Sequence, residues 1–183
     1  MNYNLPKSLE VCGTEYEIRS DFRAVLDIIT ALESPEWNDE EKAIISLVIF
    51  YPEFDSMPSA YYEDALKKCF WFIDGGAEPD GSRRKAPRLV NWEQDFQFIV
   101  PPINRVFGKD IRGEETLHWW TFLSAYMEIG DCTFAQIVRI RDMKARGKPL
   151  DKADKDWYRR NRQLVDIKMT YTNAEKEILE KWA

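Results

Sequence analysis

Few side chains in this 183-residue sequence are of types that do chemistry near neutral pH. There is one histidine, His118, beside the pair Trp119-Trp120. An imidazole there can act as acid, base or ligand, but a lone histidine cannot supply a multi-histidine metal site. Cys12, Cys69 and Cys132 are odd in number and widely spaced, with no Cys-x-x-Cys. Neither a disulfide framework nor a zinc knuckle is indicated, and a reducing cytoplasm is the expected compartment. A nucleophilic Cys-His pair would need a contact in space that spacing does not supply. No Gly-rich phosphate loop occurs. The expectation is a protein with no catalytic residues, no metal and no cofactor, hence not an enzyme.

Charge is the next candidate for function. The chain carries 26 basic and 32 acidic side chains, net −6, against a surface that coats nucleic acid as a whole. The distribution is uneven: residues 1–80 hold 6 basic and 17 acidic groups, residues 139–168 hold 11 and 5. Arg139, Arg141, Lys144 and Arg146, with Arg159, Arg160 and Arg162, have the makings of a phosphate-binding patch. Asp142, Asp151, Asp154 and Asp156 interleave them, and no recognition-helix motif is present. Nucleic acid is therefore the second choice of partner. Trp119-Trp120 places two indoles about a quarter turn apart, one for the core and one free to reach a seam or a partner.

The elements that position these groups are mostly helical. At 44% hydrophobic and 32% charged the composition is that of a globular protein. Leu9 to Ile18 alternates as a β-hairpin with Cys12-Gly13 at its turn. Ser20 caps a helix carrying Phe22, Val25, Leu26, Ile29 and Leu32, ended by Ser34-Pro35. Asn38 and Glu41 form a capping box before a more thoroughly buried helix with Ile44, Ile45, Leu47, Val48 and Ile49. A third helix runs from about Ser59 to Ile73 and stops at Gly75-Gly76. Residues 75–90 read as a mobile loop. Asn91 to Phe107 is helical in pattern, with Pro101-Pro102 expected to kink or split it. Glu114 to Ile129 follows, with Glu114-Glu115 as favourable charge in its first turn. Then come a basic helix from Thr133 to about Arg146, one from Asp151 through Lys168, and a last one after the Thr172/Glu175 capping box, within 169–183. The whole reads as a mainly α protein, one compact domain over 1–183 of about seven to eight helices, with the short hairpin in 1–19. The longest apolar stretch, Ala43 to Tyr51, is broken by Ser46, so neither export nor membrane spanning is expected.

Certain words in the sequence are more specific than periodicity. They are Leu5-Pro6, Tyr16-Glu17-Ile18 with Ser20-Asp21-Phe22-Arg23, Phe50-Tyr51-Pro52 and Phe72-Ile73-Asp74-Gly75-Gly76. Further along stand Trp92-Glu93-Gln94-Asp95, Phe107-Gly108-Lys109-Asp110-Ile111, Leu117-His118-Trp119-Trp120-Thr121-Phe122 and Arg139-Ile140-Arg141. In this order they resemble the bacteriophage "gp-fifteen" family of tailed phages and prophages, over nearly the whole chain. Departures are Cys12-Gly13 where Asp-Gly is expected, and the Pro101-Pro102 interruption.

The resemblance implies a tail assembly chaperone of long-tailed phages, working in the host bacterial cytoplasm and absent from the finished virion. Its implied partners are the tape-measure protein and the tail-tube protein, with self-association in addition and no membrane. A chaperone of this kind must cover apolar patches on a long helical client. The side chains expected to do so are Trp119, Phe122, Tyr126 and Met127, with Arg139 and Arg141 supplying charge at the rim. The alternative is a nucleic-acid-binding or packaging accessory that uses the basic C-terminal third.

Overall fold

The structure, a computed structural model, describes residues 4–78 and 87–168 together with Thr172 and Glu175. Half of the expected 75–90 loop, and most of the 169–183 helix, lies outside these residues. The Thr172/Glu175 box itself is made: the Thr172 N–H donates to the Glu175 carboxylate at 2.8 Å, and the Glu175 N–H to Thr172 Oγ1 at 3.2 Å.

Among the described residues the chain forms one hairpin and eight α-helices, a mainly α fold. Strands β1 (Ser8–Val11) and β2 (Thr14–Glu17) pair antiparallel, Leu9 opposite Tyr16. Cys12 and Gly13 at the turn have φ of 48° and 82°, the left-handed pair of a type I′ turn, which matches strand twist. A hairpin alone is marginal in water. Burial of Val11 and Tyr16 and a 2.9 Å bond from the Cys12 N–H to the Asp64 carboxylate anchor this one.

Helix α1 (Phe22–Glu33) is capped by Asp21 and not by Ser20, because the Asp21 carboxylate accepts the Arg23 N–H. Helix α2 (Asp39–Phe50) has the expected box, Asn38 and Glu41 each accepting the other's backbone N–H. Its burial differs from expectation. Ser46, Leu47 and Phe50 are buried, but Ile44 and Val48 are 40% and 46% exposed. Helix α3 (Tyr62–Ile73) follows a 3-10 turn at Ser59–Tyr61.

Helix α4 (Trp92–Phe107) is continuous through Pro101 and Pro102 and is not split. The prolines delete only two internal N–H donors, and buried Ile99, Val100, Pro102 and Ile103 hold both sides of the gap in one core. Gly108 then takes the left-handed cap, φ 69°. Helix α5 (Trp119–Met127) starts five residues later than Glu114, the first residue of the expected helix. Glu114 and Glu115 therefore precede the helix and do not charge its first turn. Helix α6 (Thr133–Ala145) is capped by Cys132. The expected Asp151–Lys168 helix is two: α7 (Lys152–Arg160) and α8 (Arg162–Val165), parted at Asn161, whose side chain bonds back to the Trp157 carbonyl.

The chain packs as two compact units. Residues up to 78 with 115–123 make the first, and 87–114 with 124–168 the second. Over these residues the first carries a net charge of −11 and the second +4. The first is cored by Phe22, Val25, Ile28, Leu47, Phe50 and Phe72, all at most 1% exposed, and the second by Ile99, Ile103, Ile111, Ile137, Ile140 and Val165. No helix of the described residues is long and apolar enough to cross a membrane.

Candidate functional site

The segment before α5 is laced to the start of α1. Asp21 accepts the Leu117 N–H at 2.7 Å through one carboxylate oxygen and pairs with Arg23 at 3.1 Å. The Phe22 N–H donates to the Leu117 carbonyl at 2.9 Å and the Trp119 N–H to the Ser20 carbonyl at 2.7 Å. The result is an isolated antiparallel bridge between Asp21 and His118, so His118 sits on extended backbone and not on a helix.

The ring of His118 is fully used. Nε2 lies 2.9 Å from the Pro6 carbonyl, which only accepts, and Nδ1 lies 3.0 Å from the Trp120 N–H, which only donates. These partners assign the neutral tautomer with its proton on Nε2. Burial pushes the imidazole pKa down, the bond to Pro6 opposes this, and nearby Lys7 adds to it. His118 is a cross-brace between the segment before β1 and the start of α5. Both nitrogens are taken by backbone, so neither is left for a thiol. The buried Cys69 thiol is itself pushed up to about 12 by burial, an inert state.

The two indoles continue the brace. Trp119 Nε1 donates to the Ile73 carbonyl at 2.8 Å and Trp120 Nε1 to the Phe72 carbonyl at 2.9 Å, closing the C-terminal end of α3. Phe22 stacks on Phe122 at 4.7 Å and 2°, and Trp119 on Phe122 at 5.5 Å. Gly76 is held at φ 81°, and a Cβ there would stand 2.9 Å from Trp120 Cη2. That position admits glycine both for its backbone and for its space.

Beside this brace lies an open groove of about 850 Å³ whose apolar lining is Leu5, Ile18, Ala24, Val48, Ile49 and Pro52. Its arginines are committed internally. Arg19 donates to the Val48 and Ile49 carbonyls at 2.8 and 2.7 Å, satisfying the end of α2, and Arg23 holds Asp21. Glu17 and Asp27, also on the groove, are exposed to solvent. Leu5 and Val48 are each 46% exposed.

The side chains expected from sequence to touch a partner do not gather on one accessible face. Trp119 and Phe122 are buried within the first unit for the reasons just given. In the second unit Tyr126 is half-buried, 5.2 Å from Trp92 and 5.9 Å from Phe134, and burial and the Asp95 charge raise its phenol pKa. Met127 is 73% exposed. Arg139 is exposed and pairs with buried Asp154. Arg141 is interior. Its five N–H donors reach the Val165, Leu89 and Leu164 carbonyls and both oxygens of Asp95, and Asp95 is fully buried. Trp119, Phe122 and Arg141 thus present no surface to a partner, whereas Met127 and Arg139 do.

Sequence reasoning missed Leu5, Ile44 and Val48 as surface groups. The two α2 residues have the pattern of core because the helix is apolar around much of its circumference. A signal for Arg141 was available: it falls on the stripe of Phe134 and Ile137, three and four residues apart, where a cation needs a buried anion.

Most of the words singled out in the sequence sort onto two nodes. Leu5-Pro6, Ser20 to Arg23, Phe50 to Pro52, Phe72 to Gly76 and Leu117 to Phe122 meet around the His118 brace and its groove. Trp92 to Asp95 and Arg139 to Arg141 meet at the Asp95–Arg141 pair. A search of curated proteins and a search of solved structures each return no match. The family model described as Bacteriophage Gp15 protein matches residues 1–167. With that match covering most of its length, and with most of the words that carry the resemblance meeting at two structural nodes, the chain belongs to the bacteriophage Gp15 protein family.

Proposed function

We propose that this phage protein is a tail assembly chaperone that holds the tape-measure protein transiently in the host cytoplasm and is left out of the virion. The phage family supports the setting. The observation that supports client binding is the open groove of the first unit, lined by aliphatic side chains that include half-exposed Leu5 and Val48. An amphipathic helix laid on such a lining buries its apolar face while its polar face stays wet. A modest contact with charge at its rim is what displacement by tail-tube subunits requires. Met127 and Arg139 are the accessible members of the partner set expected from sequence and add contact in the second unit. Trp119, Phe122 and Arg141 act as positioning groups.

Capture from cells co-expressing the tape-measure protein tests this. Enrichment over an unrelated long helical protein is expected, and equal recovery of the two removes the reading. A second reading, binding of nucleic acid, is favoured by one observation: Lys152, Lys155 and Arg159 are exposed and recur three and four residues apart on α7. Salt separates the two. Phosphate contacts weaken steeply as ionic strength rises, whereas apolar capture persists.

A further inference from the structure

We infer that the outer face of α2 is the docking surface for a cationic amphipathic helix. This deepens the client-binding reading above and rests on it, naming the surface and the chemistry of the segment it takes.

The apolar part of the surface is a row. Trp37, Ile44 and Val48 are 45%, 40% and 46% exposed, and with Glu41 between them they follow steps of four, three and four residues. Such steps put Glu41, Ile44 and Val48 on one side of α2, and exposed Trp37 stands just before the Asn38 cap. From Glu41 to Val48 the helical part of the row spans about 10 Å at 1.5 Å per residue, the length of about two turns of a partner helix. At its Val48 end it runs into the groove, where Leu5 continues the exposed apolar surface. The buried residues of α2, Ser46, Leu47 and Phe50, lie on the side that packs into the unit. The row is therefore an apolar face beyond what the fold of this unit uses.

The charge beside the row is negative at the start of α2. Glu40 and Glu41 flank it at the start of α2, and Glu17 and Asp27 stand exposed on the groove at its other end. Lys7, exposed on the same groove, offsets them in part. Arg23 is paired with Asp21, and Arg19, bonded to the neutral Val48 and Ile49 carbonyls, keeps its charge, so the groove end is balanced and the negative excess beside the row lies at the Glu40/Glu41 end. Across the described residues the unit carries a net charge of −11. A helix with leucine-like residues at three- and four-residue steps and lysine or arginine along both margins complements this row in shape and in charge. A helix with acidic margins meets like charge at Glu40 and Glu41 and in the net charge of the unit.

The test uses the full-length protein and two fluorescent helical peptides of about 18 residues, identical in apolar heptad positions, one with lysine margins and one with glutamate margins. Anisotropy at low salt is expected to show the lysine peptide binding at least about 10-fold more tightly. The double variant Ile44→Ser/Val48→Ser changes exposed side chains only, and circular dichroism checks that it folds. It is expected to lose about 10-fold in affinity for the lysine peptide. Glu40→Lys narrows the gap between the two peptides. Equal affinity for both peptides, or undiminished binding by the folded double variant, overturns the surface. Capture of co-expressed tape-measure protein separates this from the chaperone reading. Capture that survives the double substitution overturns the α2 surface and leaves the chaperone standing. Peptide binding as expected, without any tape-measure capture, upholds the surface and removes the chaperone.

Discussion

Replacing Arg141 by methionine discriminates between a rim charge and an interior strut. At 5% side-chain exposure, paired with an Asp95 side chain at 0%, Arg141 uses all five N–H groups: Nε on the Val165 carbonyl at 2.6 Å, one pair on Leu89 and Asp95 at 2.9 and 2.5 Å, the other on Asp95 and Leu164 at 3.0 Å each. Methionine fills similar volume but strands a buried carboxylate, whose remaining bond is from the Asn91 N–H, and three carbonyls. Breaking a buried pair from one side costs about 3–5 kcal/mol, against a total stability on the order of 5–15 kcal/mol for a domain. Lysine, with three donors in place of five, also falls short of the wild type. Removing both charges, as Asp95→Leu with Arg141→Met, recovers part of the loss, because no buried charge is left unpaired, while the three carbonyls and the Asn91 N–H stay without these partners. Urea unfolding followed by far-ultraviolet circular dichroism reads all four proteins. A loss below about 1 kcal/mol for Arg141→Met, the size typical of a surface change, refutes the interior role and returns Arg141 to the set of partner contacts.

Two further outcomes follow from the His118 brace. As the chain's single histidine, its ring can be observed without ambiguity by long-range nitrogen-proton NMR. The expected spectrum at neutral pH is that of a protonated Nε2, with a titration midpoint below the ordinary value of about 6.5. Because the folded pKa is depressed, the unfolded chain holds the proton more tightly. The contribution to stability is complete above the ordinary pKa and is lost as pH falls from there toward the folded value; a midpoint at or above the ordinary value, or a proton on Nδ1, contradicts the brace. Gly76→Ala and Gly108→Ala both place a Cβ on left-handed backbone, at a cost of about 1–2 kcal/mol. Only Gly76 also meets a neighbour, Trp120 Cη2 at 2.9 Å, while Gly108 has open space. Denaturation should find Gly76→Ala the more destabilised of the two, and parity would mean that the indole does not close on α3 as described.

What the sequence made legible was local. The hairpin turn at Cys12-Gly13, the Asn38/Glu41 box and the Gly108 stop all depend on neighbours a few residues apart, and the structure has each of them. The displaced start of α5 shows the limit. Glu114 to Leu117 have acceptable helix character, but Leu117 is tied to Asp21, 96 residues away, and Trp119 to Ser20. Tertiary hydrogen bonds outweigh a weak local propensity there. The division of Asp151–Lys168 at Asn161 is similar, since the Asn161 side chain takes a carbonyl of its own helix. For the candidate site, aromatic density around Trp119 marked an important place but not an accessible one. Indole and phenyl rings serve cores and interfaces alike, and which of the two applies is decided by the neighbours that cover them. In α2 the ambiguity ran the other way, where Ile44 and Val48 had the character of core and lie on the surface.

If this protein lends exposed apolar surface on its first unit to a long helical client, the two chains can be trapped together at that surface. A photo-reactive amino acid placed at Val48, an exposed site whose replacement disturbs no buried group, tests this in cells producing the tape-measure protein. A light-dependent adduct joining the two proteins is expected, reduced when the label is moved to an exposed position of the second unit such as Lys155. Adducts no more abundant from Val48 than from Lys155 would contradict client binding at this face.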